Sequence, residues 1–274
     1  MTRIDTQVQP VLSDGERIAS VGTIVINNPD RRNAMTSAMY RAVPDAVTEL
    51  TKAPDLRAVI VRGAGERAFS AGSDISEFSE RRMGGQAATY DRAEHRAWEA
   101  LAGLEVPTIA VIHGHCRGGG VAIALHCDLR IAAHTATFSV PPANLGLSYP
   151  PEATRLLTAL VGPAWSKRLH FTAESLDADT AQRIGLVEEV VAAADLDAHA
   201  AQLVDTMARK APLTQRAAKA VVDALTTHAT AADQPLHEFA PDAADLVASC
   251  YDSGDFREGV RAFAEKRPPR FRGA

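Results

Sequence analysis

Arg117-Gly118-Gly119-Gly120-Val121-Ala122 is the stretch on which the fold turns. It follows an apolar strand, Thr108–Ile112, and opens an apolar run from Val121 to Leu125. Strand, glycines and helix in that order make one step of a chain that alternates β with α. Glycine lets backbone approach backbone or ligand closely, and a helix that starts there leaves its first N–H groups unpaired. Such a start suits a negative oxygen, whether resting or developing. Where an acid would be useful beside it, the helix offers Ala122.

The same alternation extends in both directions. Upstream, Ile4–Leu12 and Val21–Ile26 read as strands around the turn at Ser13-Asp14-Gly15-Glu16, and Thr36 starts a helix running to about Leu50. Ala58–Arg62 is a short strand that ends in the loop Gly63-Ala64-Gly65. Ala68 to Asp74 then leads into a helix from about Ile75, and Tyr90–Leu104 reads as a longer helix. Downstream, Leu186–Val191 is the last strand. Beyond Asp195 the pattern is purely helical: Leu196–Arg209, Leu213–Thr226, His237–Tyr251 and Phe256–Glu265. No Gly/Ser-rich linker divides the two parts, so residues 1–195 form an α/β core and 196–274 a helical extension of it.

A chain of 274 residues can hold one sizeable α/β domain with such an appendage. Its 46% hydrophobic and 23% charged residues are ordinary for a globular protein. A formal charge of −5 argues against broad nucleic-acid binding, and the clusters Arg31-Arg32 and Lys266-Arg267 with Arg270 and Arg272 each read alone as solvated surface. Cys116, Cys127 and Cys250 have no paired or metal-ligand spacing, which fits reduced thiols. The N-terminus has no signal-like apolar core, and no apolar window reaches the roughly 18 residues of a membrane span. A cytoplasmic location is expected. His113, His115 and Cys116 match no closed zinc pattern, so no metal is expected.

Two loops share one physical signature. Ala71-Gly72-Ser73-Asp74 and Gly118-Gly119-Gly120 both put small residues at a helix start. Amides converging from the two would form an oxyanion hole, and each such donor is worth roughly 2.7–4 kcal/mol of activation barrier. Either loop alone reads as a tight turn.

Taken together, the ordered motifs resemble the crotonase (enoyl-CoA hydratase/isomerase) superfamily. They are Arg31-Arg32-Asn33-Ala34-Met35, Gly63-Ala64-Gly65 with Ala68 to Ile75, and Pro107–Ile112 with Gly118-Gly119-Gly120. Cys127 to Ala132, Phe138-Ser139, Leu145-Gly146, Gly185-Leu186-Val187 and Glu258 to Pro268 follow. The resemblance covers about residues 15–270. It implies a spiral of ββα units followed by C-terminal helices that build a trimer, often a dimer of trimers. It implies a coenzyme A thioester as substrate, with no cofactor beyond the CoA the substrate carries. By position, the oxyanion donors would be the N–H groups of Ser73 and Gly119. Arg32 and Ala34 fall where the family contacts CoA, and Ala68, Ser70, Ala71, Asp74, Ile75, Gly118 and Pro142 fall along the thioester path. Lys266 would meet a CoA phosphate.

The chain departs from that family where hydration is performed. Hydratases use two glutamates to hold and split water; the matching positions here are Ala122 and Pro142. Tyr149 reads either as a hydrogen-bond donor to substrate or as a packed tyrosine with a satisfied hydroxyl. Glu152 reads either as a substitute acid or as an ordinary first-turn carboxylate. His126, one turn beyond Ala122, reads as a pocket or a core imidazole. Phe138 to Gly146 with Tyr149, and Tyr251 to Phe256 with Glu258-Gly259, resemble the methylmalonyl-CoA decarboxylase branch. That branch, however, has His and Thr where this chain has Ser73 and Pro141. The expectation is an acyl-CoA lyase or isomerase working through a stabilised enolate. The alternative is an acyl-CoA-binding homologue without turnover.

Overall fold

The computed structural model describes residues 2–13, 15–81, 87–227 and 234–274, so Asp14 of the first turn lies outside the described residues. Strands are β1 (Arg3–Ser13), β2 (Glu16–Asn27), β3 (Leu56–Gly63), β4 (Ala68–Ser70), β5 (Thr108–Ile112), β6 (His115–Arg117), β7 (Leu129–Ala133), β8 (Thr137–Ser139), β9 (Ser175–Asp177) and β10 (Glu189–Val191). Helices through the core are α1 (Ser37–Thr51), α2 (Phe78–Arg81), α3 (Ala87–Ala102), α4 (Gly119–Leu125), α5 (Pro151–Thr172) and α6 (Ala178–Arg183). The C-terminal part is helical throughout: α7 (Leu196–Ala208), α8 (Pro212–Thr227), α9 (Leu236–Phe239), α10 (Pro241–Asp252) and α11 (Gly254–Glu265).

The strands form two sheets, in the orders β1-β2-β3-β5-β7-β10 and β4-β6-β8-β9. Each turn of the chain gives one strand to each sheet and then a helix: β3 and β4, β5 and β6, β7 and β8. This is the expected ββα spiral with a helical extension. The turn β1–β2 is antiparallel, and β2 to β10 across the large sheet are parallel. A parallel sheet covered on both faces needs apolar residues in succession. In β5, Ala110 and Ile112 face the main core while Ile109 and Val111 face a second cluster built with Leu196, Ala200 and Val204 of α7.

Several boundaries differ from the sequence expectation. The expected helix His237–Tyr251 is two helices, because Pro241 opens α10 and Ala240 is non-helical. The stretch after Asp74 is a single 3-10 turn, Ile75–Glu77, before the four-residue α2. Helix α3 begins at Ala87 and ends at Ala102, two residues short of Leu104. Its buried face is Tyr90, Ala93, Glu94, Ala97, Trp98 and Leu101, so one carboxylate lies in an otherwise apolar stripe.

Candidate active site

Asn33 fixes the first loop of the site. Its amide donates to the carbonyls of Ala64 (3.0 Å) and Ala68 (2.7 Å), and its Oδ1 accepts from the Asn28 amide at 3.0 Å. The neighbouring strand end is then tied to it. Ala71 N donates to Arg32 O, Met35 N to Gly72 O, and Asp74 N to Met35 O, all at 2.8–2.9 Å. Gly72 N donates to Ser70 Oγ at 3.1 Å, so the amides on either side of Ser73 are used while that of Ser73 itself has no acceptor among the described residues. Asp74 ends the loop as a cap. It accepts from Ser76 and pairs with Arg31 at 2.9 Å. Burial opposes its ionisation, but the Ser76 bonds and the Arg31 charge hold it below the usual carboxylate range.

The glycine triplet supplies the second loop. Gly118 N donates to Ser139 O, and α4 starts at Gly119, whose amide has no acceptor among the described residues. The two loops touch. A Cβ added to Gly119 would lie 2.4 Å from the Tyr40 hydroxyl, 3.1 Å from Ser73 Oγ and 3.3 Å from Ser73 N. A Cβ on Gly72, which has φ +90°, would lie 2.7 Å from Arg117 O and 3.1 Å from Gly119 N. Only glycine permits this approach at either position. Helix α4 has only seven residues, so the useful feature is the amide pair itself and not a long helix dipole.

Both loops border one cavity of about 130 Å³. Ala71, Gly72, Ser73, Ile75, Gly118, Gly119, Pro142 and Tyr149 line it, with Phe78, Trp98, Leu145 and Leu147 supplying apolar wall. Glu94 lines it too. This carboxylate is 3% exposed and accepts from Ser73 Oγ at 2.6 Å, while Ser73 Oγ also meets the Tyr40 hydroxyl at 3.0 Å. Sequence reasoning missed Glu94 because its neighbours, Asp91, Arg92, His95 and Arg96, read as solvated helix surface. The signal lay in the i, i+4, i+7, i+8, i+11 stripe Tyr90, Glu94, Ala97, Trp98, Leu101.

Other candidates lie elsewhere. Tyr149 is in the wall, but its hydroxyl donates to Gly118 O at 3.0 Å. Burial first, then the nearby Cys116 and Glu94, push its ionisation well above 10. Glu152 is outside the lining, in the first turn of α5, within 3.0 Å of His95 Nδ1 and 3.7 Å of His126 Nε2. His126 stacks on Trp98 at 5.5 Å between ring centroids, donates its Nδ1–H to Ala122 O at 2.7 Å, and is held below its usual basicity mainly by burial. Ala122 is fully buried in the main core, outside the cavity wall.

Ala34, Ala68 and Ser70 are buried behind the first loop, so a ligand in the cavity meets at most their backbone. Arg32 is exposed at the left-handed end of a short turn, and Lys266 is exposed at the left-handed cap of α11, both away from the cavity wall. His113 faces Asp197 (3.4 Å) and His115 faces Thr137 (2.9 Å), so the two imidazoles serve different partners.

Two amides without an acceptor among the described residues, beside a buried carboxylate, can grip an oxygen that gains negative charge and move a proton near it. That fold and that pair of loops belong together: residues 16–274 match the family described as enoyl-CoA hydratase/isomerase, and the chain belongs to it. Among its relatives is a probable enoyl-CoA hydratase of Mycobacterium tuberculosis, 35% identical over 256 residues, covering 93% of this chain and 96% of the relative. The crotonyl-CoA hydratase of Syntrophomonas wolfei is 32% identical over the same shares of the two chains, 93% and 96%. Among solved structures, a putative enoyl-CoA hydratase/isomerase family protein from Hyphomonas neptunium superimposes with a TM-score of 0.87 at 33% identity, covering 98% and 97% of the chains.

Proposed function

We propose that the protein is an acyl-CoA lyase or isomerase in which the Ser73 and Gly119 amides bind a thioester carbonyl oxygen as it becomes an enolate. The observation that carries this reading is the contact of two loops whose amides at 73 and 119 have no acceptor among the described residues, in the wall of one cavity. Donors that meet charge as it develops bind the transition state better than the ground state. Ordinary hydration is disfavoured because Ala122 and Pro142 carry no ionisable group. A lyase is supported by the resemblance of Phe138 to Gly146 to the methylmalonyl-CoA decarboxylase branch, since loss of CO₂ leaves an enolate without a starting base.

In this reading CoA runs past Arg32, Ala34 and the backbone of Ala68 to Ala71, toward Ile75, Gly118 and Pro142. Lys266 serves a phosphate, either in its own or a neighbouring subunit. The assembly is a homotrimer or a dimer of trimers in the cytoplasm. Phe256, Val260 and Phe263, all exposed on α11, support burial of that helix against a second copy. The test is incubation with enoyl-, malonyl- and β-hydroxyacyl-CoA thioesters, read by mass spectrometry. Loss of CO₂ or a shifted double bond is expected. Fast addition of water as the main product, or tight binding with no product from any thioester, would refute the reading.

A further inference from the structure

Among the described residues, Glu94 is the one carboxylate in the cavity wall. It is tied to Ser73 Oγ at 2.6 Å, one side chain away from the amide at which the proposed function places the thioester oxygen. Three other candidate acids near the site have partners of their own. Tyr149 gives its hydroxyl to Gly118, Asp74 pairs with Arg31, and Glu152 lies beyond the lining with His95 and His126. A buried acid in an apolar helix stripe is costly to keep unless it is hydrogen-bonded, and one partner of Glu94 is the Ser73 hydroxyl of the first loop.

We infer that Glu94 is the catalytic base and acid of this site, carrying one proton between two carbons of a short, β,γ-unsaturated acyl-CoA. The inference rests on the enolate reading above. The Glu94 carboxylate takes a proton from Cα; the C–H electron pair becomes the π bond between Cα and the carbonyl carbon, and the carbonyl π pair moves to the thioester oxygen at Ser73 and Gly119, giving a dienolate. Protonated Glu94 then returns the proton to Cγ. The electrons reform the carbonyl and leave the double bond between Cα and Cβ, with no water or second acid consumed. A single carboxylate suffices for this shift, whereas hydration must also activate a water. A cavity of about 130 Å³ accommodates a short acyl group, since about 150 Å³ of apolar space holds a molecule the size of benzene.

The experiment compares the unaltered protein with Glu94→Gln, which preserves shape. But-3-enoyl-CoA is supplied in D₂O, the double-bond shift and deuterium uptake are read by mass spectrometry, and thioester affinity is read by calorimetry. Glu94→Gln is expected to slow shift and exchange by at least about 100-fold while affinity stays within about threefold. Retention of exchange within threefold overturns the role of Glu94 and leaves the enolate reading standing. If the unaltered protein binds the thioester yet neither exchanges a proton nor forms product, both fall. A second measurement needs no variant: a 2,3-epoxyacyl-CoA is opened by attack of a pocket carboxylate oxygen on the epoxide carbon, the ring oxygen taking up a proton. Peptide mapping is expected to place the ester on Glu94; an ester on Glu152, or none on any carboxylate, overturns the assignment.

Discussion

Gly119→Ala puts the smallest side chain into the tightest contact of the site. Its Cβ would stand 2.4 Å from the Tyr40 hydroxyl, well inside van der Waals contact, and 3.1 Å from Ser73 Oγ. Tyr40 is fully buried in the main core, so it cannot swing aside. The strain must move either the start of α4 or the Ser73 loop, and either movement separates the two amides. Overpacking of this kind costs about 1–3 kcal/mol of stability. Loss of one aligned donor adds roughly 2.7–4 kcal/mol to the barrier, about 10²–10³ in kcat. The assay is exchange of the α-proton of a saturated acyl-CoA in D₂O, followed at a temperature well below the variant's melting point. CoA affinity, measured alongside, is expected to change little, because the phosphates are bound far from this contact in the proposed function. Exchange within about threefold of the unaltered protein would show that Gly119 is not a donor, and the paired-amide reasoning would fail.

Other outcomes follow from the same geometry. Tyr149→Phe removes the bond to Gly118 O and should cost about 0.5–1.5 kcal/mol of stability, with turnover falling less than about tenfold. Glu152→Gln should leave turnover near normal; a loss of about 100-fold in either variant would identify the proton source there instead. Ala122→Glu should not create a hydratase. Position 122 is fully buried among apolar residues, so the new carboxyl costs about 2–7 kcal/mol, read as a lower urea midpoint; gain of hydration would refute this. His126 is held neutral by burial, so the unfolded chain takes up its proton first and stability should fall as pH drops through about 6.5. His126→Phe should flatten that part of the stability curve, and an unchanged slope would assign the proton uptake to another group.

The strands and most helices were legible because the repeating unit is local: an apolar run, a glycine turn, a helix. The amide pair was legible for a related reason, since glycines that allow close approach must be written as glycines. Contact between the loops was not legible. It depends on Asn33 bonding to carbonyls 31 and 35 residues away, which no local pattern announces. Glu94 was hidden differently, by charged neighbours that share its helix and not its face. Glu152 attracted attention because it follows the Pro150-Pro151 pair near the expected pocket, yet it starts α5 with its carboxylate against two histidines. The break at Pro241 could have been read from the proline itself.

The small sheet has one further consequence. Strands β4 and β6 are parallel neighbours, with Ser70 opposite Cys116, and each runs on within three residues to Ser73 or Gly119. Adjacent strands stand about 4.8 Å apart whatever their side chains. The two loops that carry the amides therefore leave the sheet from neighbouring strands held at one spacing, like jaws hinged on a common bar. Side chains in the cavity wall, at 94, 142 or 149, can be exchanged without changing that strand spacing, so in the proposed function the grip on a carbonyl oxygen is inherited with the sheet while the reaction is chosen by its surroundings.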